Sequence, residues 1–138
     1  MRRLPFEAFV IVRRGDQYLV MHRTPQGGGY WHGVAGALER DETFAEAARR
    51  ELQEETGLAA EPVEIGEPYV YSLAEEPEVG DLFPPDVEGV TVRPFLVEAP
   101  SGWEPTLNEE HDEYRWCSQD EALELLRWPD SKVALRAL

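Results

Sequence analysis

Cysteine is nearly absent from this chain, in which Cys117 is the single cysteine among 138 residues. One cysteine excludes an internal disulfide and a zinc site built from several cysteines. Cys117 follows Trp116 in an apolar and aromatic run, which favours a packed thiol over a nucleophile.

Long apolar runs are missing as well. No stretch approaches the roughly 20 apolar residues that a membrane-spanning helix needs. Residues 1–5 lack the apolar core of a secretory signal. The sequence therefore predicts a cytoplasmic protein without a membrane segment.

Positive charge is scarce. The chain has 13 lysines and arginines against 28 aspartates and glutamates, which gives a formal net charge of −15. Such a surface repels nucleic acids and anionic membranes, so we expect neither as a partner. It also repels polyphosphates, so a phosphate site here would need metal ions and nearby arginines. The length predicts a single domain over residues 1–138.

Three acidic residues, Glu51, Glu54 and Glu55, lie at positions i, i+3 and i+4. In a helix they share one face, within an arc of about 100°. Ionised carboxylates this close repel one another by roughly several tenths of a kcal/mol per pair unless a cation lies between them. Because their ligand atoms are oxygens, the spacing predicts a site for Mg²⁺ or Mn²⁺.

The bounds of this helix are also visible in the sequence. Thr43 followed by Glu46 forms a capping box at its start, and Gly57 suits the left-handed position after its end. Between them lies an apolar stripe that can pack on a sheet, formed by Phe44, Ala45, Ala48 and Leu52.

Residues 36–58 follow a longer pattern: Gly, five residues, Glu, seven residues, then Arg-Glu-aliphatic-any-Glu-Glu-any-Gly-aliphatic. This pattern resembles the Nudix box, and its nine defined positions are matched by Gly36, Glu42, Arg50, Glu51, Leu52, Glu54, Glu55, Gly57 and Leu58. The chain is therefore similar to the MutT-like Nudix hydrolases, which cleave nucleoside diphosphates linked to another moiety. The resemblance implies an α/β fold, the Nudix α/β/α sandwich with a mixed β-sheet.

The resemblance also implies roles for the residues of the box. Glu51, Glu54 and Glu55 would bind Mg²⁺ or Mn²⁺, and the backbone of Gly36 would add a further ligand. Arg50 would pair with a neighbouring carboxylate and fix its rotamer. Glu51 or Glu110 would take the proton of the attacking water, with Glu54 as a further candidate.

A second acidic cluster surrounds the histidine of residues 108–116. In many Nudix enzymes a glutamate of such a late loop completes the metal site or acts as the base. Glu110 is the candidate, ahead of Glu109 and Glu113, and a hydrated acidic turn is the alternative. Residues 109–138 more loosely resemble bacterial members that act on pterin or deoxynucleoside triphosphates.

Four further residues are candidates for contact with substrate. Arg23 ends a predicted strand, where it could meet an anion or simply be solvated. Glu42, at the helix entrance, could be an outer metal ligand or a hydrogen-bond partner. Trp31 could form a wall for a base, although a core position is favoured, and Phe83 is a candidate stacking residue.

The remaining pattern predicts strands over residues 6–12, 17–23, 31–35, 62–65, 69–73, 89–99 and 114–117. Pro94 indicates an edge or a bulge in its strand. His32 is predicted to make a local hydrogen bond. The acidic, proline-rich segment 74–88 is predicted to be a loop, either bordering the substrate pocket or solvated.

Two short helices are predicted near the end of the chain. Ser118 and Glu121 form a capping box for a helix over residues 119–126. Pro129 separates it from a helix over residues 131–138. Residues expected to pack in this region are Leu123, Leu126 and Trp128.

Together these features predict a Mg²⁺-dependent Nudix pyrophosphatase that cleaves a phosphoanhydride bond in a nucleoside or pterin triphosphate by metal-activated water. The alternatives are a hydrolase of dinucleoside polyphosphates, nucleotide sugars or ADP-ribose, and a non-catalytic nucleotide sensor. The expected partner is a small nucleotide-type molecule. The long loop and the edge expected near Pro94 would allow a homodimer.

Overall fold

A computed structural model of the chain describes residues 3–75, 80–127 and 129–138. These ranges contain three α-helices: α1 (Phe44–Thr56), α2 (Gln119–Leu125) and α3 (Pro129–Arg136). They also contain eight strands: β1 (Phe6–Arg14), β2 (Gln17–Arg23), β3 (Trp31–His32), β4 (Val34–Ala37), β5 (Val63–Glu64), β6 (Tyr69–Ser72), β7 (Gly89–Glu98) and β8 (His111–Cys117). Trp128 and residues 76–79, which the sequence assigns to packing and to a loop, lie outside the described residues.

One mixed sheet contains the eight described strands. β1 lies at its centre, antiparallel to β2 and β4 and parallel to β7. β3 and β8 extend the sheet from β2, whereas β5 and β6 both pair with β7. The mixed β-sheet expected from the sequence is confirmed.

The two faces of the sheet carry separate hydrophobic cores, because successive side chains of a strand point to opposite faces. Ala8, Val10 and Val12 of β1 pack under α1. Phe9 and Ile11 pack on the other face, with residues of α2 and α3. Helices therefore cover both faces, and the predicted α/β/α sandwich is confirmed.

The start of α1 has the predicted capping box. The Thr43 hydroxyl accepts from the Glu46 amide at 3.1 Å, and the Glu46 carboxylate accepts from the Thr43 amide at 2.9 Å. Gly57 ends the helix in the left-handed conformation, with φ 81°. Ser118 and Glu121 make the same reciprocal pair at the start of α2.

Pro94 lies inside the sheet, so the predicted edge or bulge at this position is wrong. β7 has β1 on one side and β5 and β6 on the other. The Pro94 carbonyl accepts from the Ile65 amide at 2.9 Å, so its nitrogen faces the same side, at the interruption between β5 and β6. A proline costs no ladder hydrogen bond there.

Two strand bounds also differ from those predicted. The segment 31–35 divides, because β3 pairs with β2 whereas β4 pairs with β1. β8 begins at His111, since this residue pairs with Arg23 of β2. The late acidic segment is therefore held partly in the sheet. None of the helices in the described ranges is long and apolar enough to cross a membrane.

Candidate active site

A cavity of about 340 Å³ opens beside β4 and the C-terminal half of α1. Residues of the predicted metal site from three parts of the chain line it: Gly36, Glu51, Glu55 and Glu110. Arg23 lines the same cavity from the end of β2. The fold thus brings the box and the late acidic segment to one place.

Arg50 ties α1 to the end of β4. Its guanidinium donates two hydrogen bonds to the Glu42 carboxylate, at 2.8 and 2.9 Å, and one to the Ala37 carbonyl at 3.0 Å. Another nitrogen donates to Glu51 at 2.7 Å. The hydrogen bonds from Arg50 lower the pKa of Glu42. Arg50 thereby orients Glu51, which is the pairing expected of it.

Glu51 and Glu55 form a coupled pair, one turn apart on the face of α1 that meets the cavity. Burial raises the pKa of Glu55 well above its usual value, and a hydrogen bond with Glu51 raises it further. Burial also raises the pKa of Glu51, although Arg50 opposes that rise. Both effects favour the protonated form of the pair, so these carboxyls take up protons at a higher pH than free glutamates do.

Gly36 provides the space that this pair occupies. A Cβ at position 36 would lie 2.1 Å from an oxygen of the Glu51 carboxylate. The amide of the preceding residue, Ala35, donates to Glu55 at 3.3 Å. β4 and α1 can approach this closely because position 36 has no side chain.

Two histidines, His111 and His32, lie close to the cavity carboxylates. Nε2 of His111 lies 3.7 Å from Glu55 and has no hydrogen-bond partner among the described residues. Nδ1 of His32 likewise has none, so the local hydrogen bond predicted for His32 is absent at this atom. Burial, the charge of Arg23 and the nearby His111 lower the pKa of His32 to about 4. His32 is therefore neutral near pH 7.

Glu110 and Arg23 are held next to each other by the main chain. The Thr24 amide donates to the Glu110 carbonyl at 3.1 Å, and Asn108 hydrogen-bonds the Glu110 backbone and side chain. Nε of Arg23 donates to the Gly27 carbonyl at 3.0 Å. A cation and an anion therefore stand together at the mouth of the cavity.

Some predicted site residues lie away from this cavity. The Glu54 side chain lies on the exposed surface of α1, 3.3 Å from Arg50, and is 54% exposed. Glu42 is a hydrogen-bond partner of Arg50, which is one of the two roles predicted for it, and its contact with substrate stays a prediction. Phe83 is 1% exposed in the core with Val90, so the prediction of a stacking residue is wrong.

Trp31 occupies the packing position that the sequence favours. Its ring contacts the His22 ring edge-to-face at 5.1 Å, and the Arg115 guanidinium lies 4.8 Å from the ring centroid. Its carbonyl accepts from the Arg127 amide at 3.1 Å. Trp31 does not line the cavity, so it forms no wall for a base there.

The sequence analysis missed residues that line the cavity on the sheet side: Glu7, Phe9, Tyr30, Tyr69 and Tyr71. One signal was available, since Glu7 is the single charged residue in an otherwise apolar stretch of β1. The tyrosines gave no comparable signal, because aromatic residues in strands usually pack in a core.

The donor set suits a hard divalent cation, because the side chains that converge on the cavity offer carboxylate oxygens. A divalent cation would neutralise Glu51 and Glu55 in place of protonation. Within the described residues, no three acidic, histidine or cysteine side chains already stand in a metal-binding arrangement. Metal binding would therefore require side-chain rotation, which exposed Glu54 and Glu110 can provide.

The fold and site define an α/β/α sandwich protein with a carboxylate cavity suited to a divalent cation. The model of the NUDIX domain family matches residues 3–138, and the chain belongs to this family.

Two curated relatives match parts of the chain. Phosphatase NudJ of Escherichia coli is 48% identical over 52 residues, 38% of this chain and 34% of that protein. An octanoyltransferase of Myxococcus xanthus is 35% identical over 119 residues, 85% of this chain and 31% of that protein. The matched part spans about a third of each of these curated relatives.

Solved structures show the same fold. The Escherichia coli dihydroneopterin triphosphate pyrophosphohydrolase superposes with a TM-score of 0.86, over 100% of this chain and 97% of that one. The two sequences are 20% identical, so the likeness extends to the fold alone.

Proposed function

We propose that the protein hydrolyses a phosphoanhydride bond in a nucleoside or pterin triphosphate, with Mg²⁺ or Mn²⁺ as cofactor. The observation that carries the proposal is the coupled pair Glu51 and Glu55, which shares one cavity with Glu110. A divalent cation held by these residues, with Gly36 and Glu54 as further ligands, would supply charge for the phosphate oxygens and acidify water.

The residues of the chain would then orient the anhydride and move one proton. Arg23 lines the cavity and can bind a phosphate, whereas Arg50 is largely neutralised by Glu42 and Glu51. Charge must be neutralised in this way because hydrolysis brings water to an already anionic phosphorus.

A carboxylate must take the proton of the attacking water, and Glu51, Glu110 and Glu54 are the candidates. Glu51 lines the cavity, and its burial raises its pKa. A base whose pKa lies closer to neutrality accepts a proton more readily. The structure therefore favours Glu51 over Glu54, whose side chain lies outside the cavity.

Aromatic side chains line the same cavity as the carboxylates, which supports a substrate that joins a flat ring to a phosphate chain. The Escherichia coli pyrophosphohydrolase with the same fold acts on dihydroneopterin triphosphate. We extend that substrate class to this chain as part of the proposal, together with a cytoplasmic location and a single domain over residues 1–138. Cell fractionation and limited proteolysis would test the last two.

The test is a product-resolved screen of phosphoanhydrides with Mg²⁺, Mn²⁺ and chelator. The panel contains nucleoside and pterin triphosphates, dinucleoside polyphosphates, nucleotide sugars and ADP-ribose. Metal-dependent release of pyrophosphate or phosphate from a triphosphate is the expected result. Preferred cleavage of another class would replace the proposed substrate, and binding without turnover would identify a nucleotide sensor.

The Glu54→Gln variant tests whether Glu54 belongs to the metal site together with Glu51 and Glu55. We expect turnover to fall by about two orders of magnitude or more with the fold intact, as for the loss of a charge-stabilising ligand. Glu61→Gln, which changes an exposed carboxylate paired with Arg49, serves as the control. Near-normal turnover in Glu54→Gln would remove this residue from the metal site.

A further inference from the structure

Glu7 is a carboxylate that the proposed hydrolysis does not use. It lies in β1, and the residues that follow it, Ala8 to Val12, are buried and apolar. Its side chain lines the same cavity as Glu51 and Glu55. A carboxylate on the central strand of a sheet needs a hydrogen-bonding partner to offset its desolvation.

The strand register places Glu7 in the middle of a row of side chains on one face of the sheet, and this row is the floor of the cavity. Ala37 of β4 and Val92 of β7 flank it, and Tyr69 of β6 follows Val92 in the same row. The small side chain of Ala37 leaves room on one side, and the aromatic ring stands on the other. A small side chain, an aromatic ring and one carboxylate therefore lie side by side, a combination that suits a flat polar ring.

The carboxylate is anchored in place. The Tyr71 hydroxyl donates a hydrogen bond to Oε1 of Glu7. Burial raises the pKa of Glu7, while this hydrogen bond and the charge of Arg3 act against the rise. A ligand that donates two hydrogen bonds to the carboxylate would favour its ionised form.

The phosphate end and the floor lie on opposite sides of β4. Gly36 faces Glu51 of α1, and its neighbours Ala35 and Ala37 face the other side of the sheet. The cavity joins both sides. A triphosphate bound by Arg23, and by the carboxylates through a divalent cation, would extend past β4 with its ring over Glu7.

We infer that Glu7 is a specificity-determining residue that binds the paired N–H and NH₂ donors of a 2-amino-4-oxopyrimidine ring, the ring shared by guanine and pterins. This inference rests on the proposed function and adds the identity of the ring. An ionised carboxylate only accepts hydrogen bonds, and it can accept two from adjacent donors.

The same chemistry rejects other rings. Adenine places a ring acceptor beside its amine, so one carboxylate oxygen would face a lone pair. Hypoxanthine keeps the ring N–H of guanine but lacks the 2-amino group. GTP and ITP therefore differ by the one group that Glu7 is assigned to recognise.

Steady-state kinetics with GTP, ITP, ATP and dihydroneopterin triphosphate test the assignment. We expect kcat/KM of the unmodified protein to be roughly 10- to 100-fold higher for GTP than for ITP, the range for one hydrogen bond to a charged group. Glu7→Gln should bring the two values within about threefold of each other, mainly by lowering that for GTP. Comparison of GTP with dihydroneopterin triphosphate shows whether the guanine or the pterin ring is preferred.

The control is Glu98→Gln, which removes a carboxylate charge from β7 outside the cavity, where it pairs with Arg13. This variant should keep the preference for GTP. Equal kcat/KM for GTP and ITP in the unmodified protein would overturn the assignment without any variant. So would a preference for GTP that survives in a folded Glu7→Gln protein.

A second measurement separates this inference from the proposed function. NMR titration with guanosine, inosine and adenosine reports ring recognition without hydrolysis. Selective binding of guanosine by a protein that hydrolyses no triphosphate would reject the proposed function and retain the role of Glu7. Equal binding of the three nucleosides, or binding of none, would reject that role whatever the activity.

Discussion

Gly36 shows how a missing side chain shapes this site. The Glu51 carboxylate occupies the space where a Cβ would be, so position 36 sets the distance between β4 and α1. The sequence pattern of residues 36–58 includes this glycine. The physical reason for the glycine is the close contact between β4 and α1. The packing explains why a glycine is needed there.

Gly36→Ala should displace Glu51 and lower kcat/KM roughly 100-fold, the loss that follows when a catalytic group is misplaced by about 1 Å. Steady-state kinetics on the preferred substrate measure this effect. Gly80→Ala is the matched control, because a Cβ there meets no atom of the described residues within 4 Å. Unchanged kinetics in Gly36→Ala would show that the carboxylate can move without consequence.

His32 makes stability depend on pH. Its pKa is about 4 in the folded protein, below the ordinary value of 6.5. The unfolded chain therefore binds more protons between pH 4 and pH 6.5, so the stabilising effect of neutral His32 is complete above 6.5 and lost as the pH falls to 4.

The His32→Asn variant removes this dependence. We expect the unmodified protein to lose up to roughly 3 kcal/mol more unfolding free energy than the variant between pH 7 and pH 4. Urea denaturation at several pH values gives the difference. His22→Gln, which changes a histidine paired with Asp112 on the surface, should retain the full pH dependence. Parallel curves for His32→Asn and the unmodified protein would contradict the prediction.

At the scale of elements, α1 is held by local and distant contacts. Its capping box and its C-terminal glycine are local, and the sequence predicts both. Arg50 adds the distant contact, because it hydrogen-bonds Ala37 of β4 as well as Glu42. The helix is therefore fixed in position against the strand as well as folded.

Thr43→Ala should destabilise the protein by about 1 kcal/mol, because the Glu46 amide loses its acceptor. Thermal or chemical unfolding measures the change. Thr24→Ala is the matched control, since Thr24 precedes a short 3-10 turn and makes no side-chain capping bond. Equal effects of the two substitutions would mean that the capping box adds nothing.

Strands were predicted less fully than helices. β1 and β2 follow from their composition, but the division of residues 31–35 depends on which neighbour each part pairs with. Pro94 was assigned to an edge because proline cannot donate a hydrogen bond. The gap between β5 and β6 that accommodates it is set by other parts of the chain.

For the whole molecule, the net charge of −15 and the burial of Glu51 beside Glu55 have the same consequence. The metal-free protein holds acidic groups close together against their repulsion. Bound divalent cations should therefore stabilise the fold more than a general screening of charge by salt does.

Mg²⁺ should raise the free energy of unfolding by about 2.7 kcal/mol when its free concentration is 100 times its dissociation constant. Differential scanning fluorimetry would show this as an increase in Tm. NaCl at matched ionic strength controls for screening, and Glu51→Gln should reduce the response to Mg²⁺. The same increase in Tm with NaCl alone would indicate screening and not a site.

The sequence by itself determined the family, the acidic helix and its caps, because these depend on residues that are close in the chain. Only the tertiary structure decided which side chains share the cavity. In the fold, Trp31 and Phe83 lie outside the cavity proposed for the substrate, whereas Glu7 and His32 line it. The physical reason is that a pocket collects residues through strand register and helix packing, and neither is encoded in a local pattern.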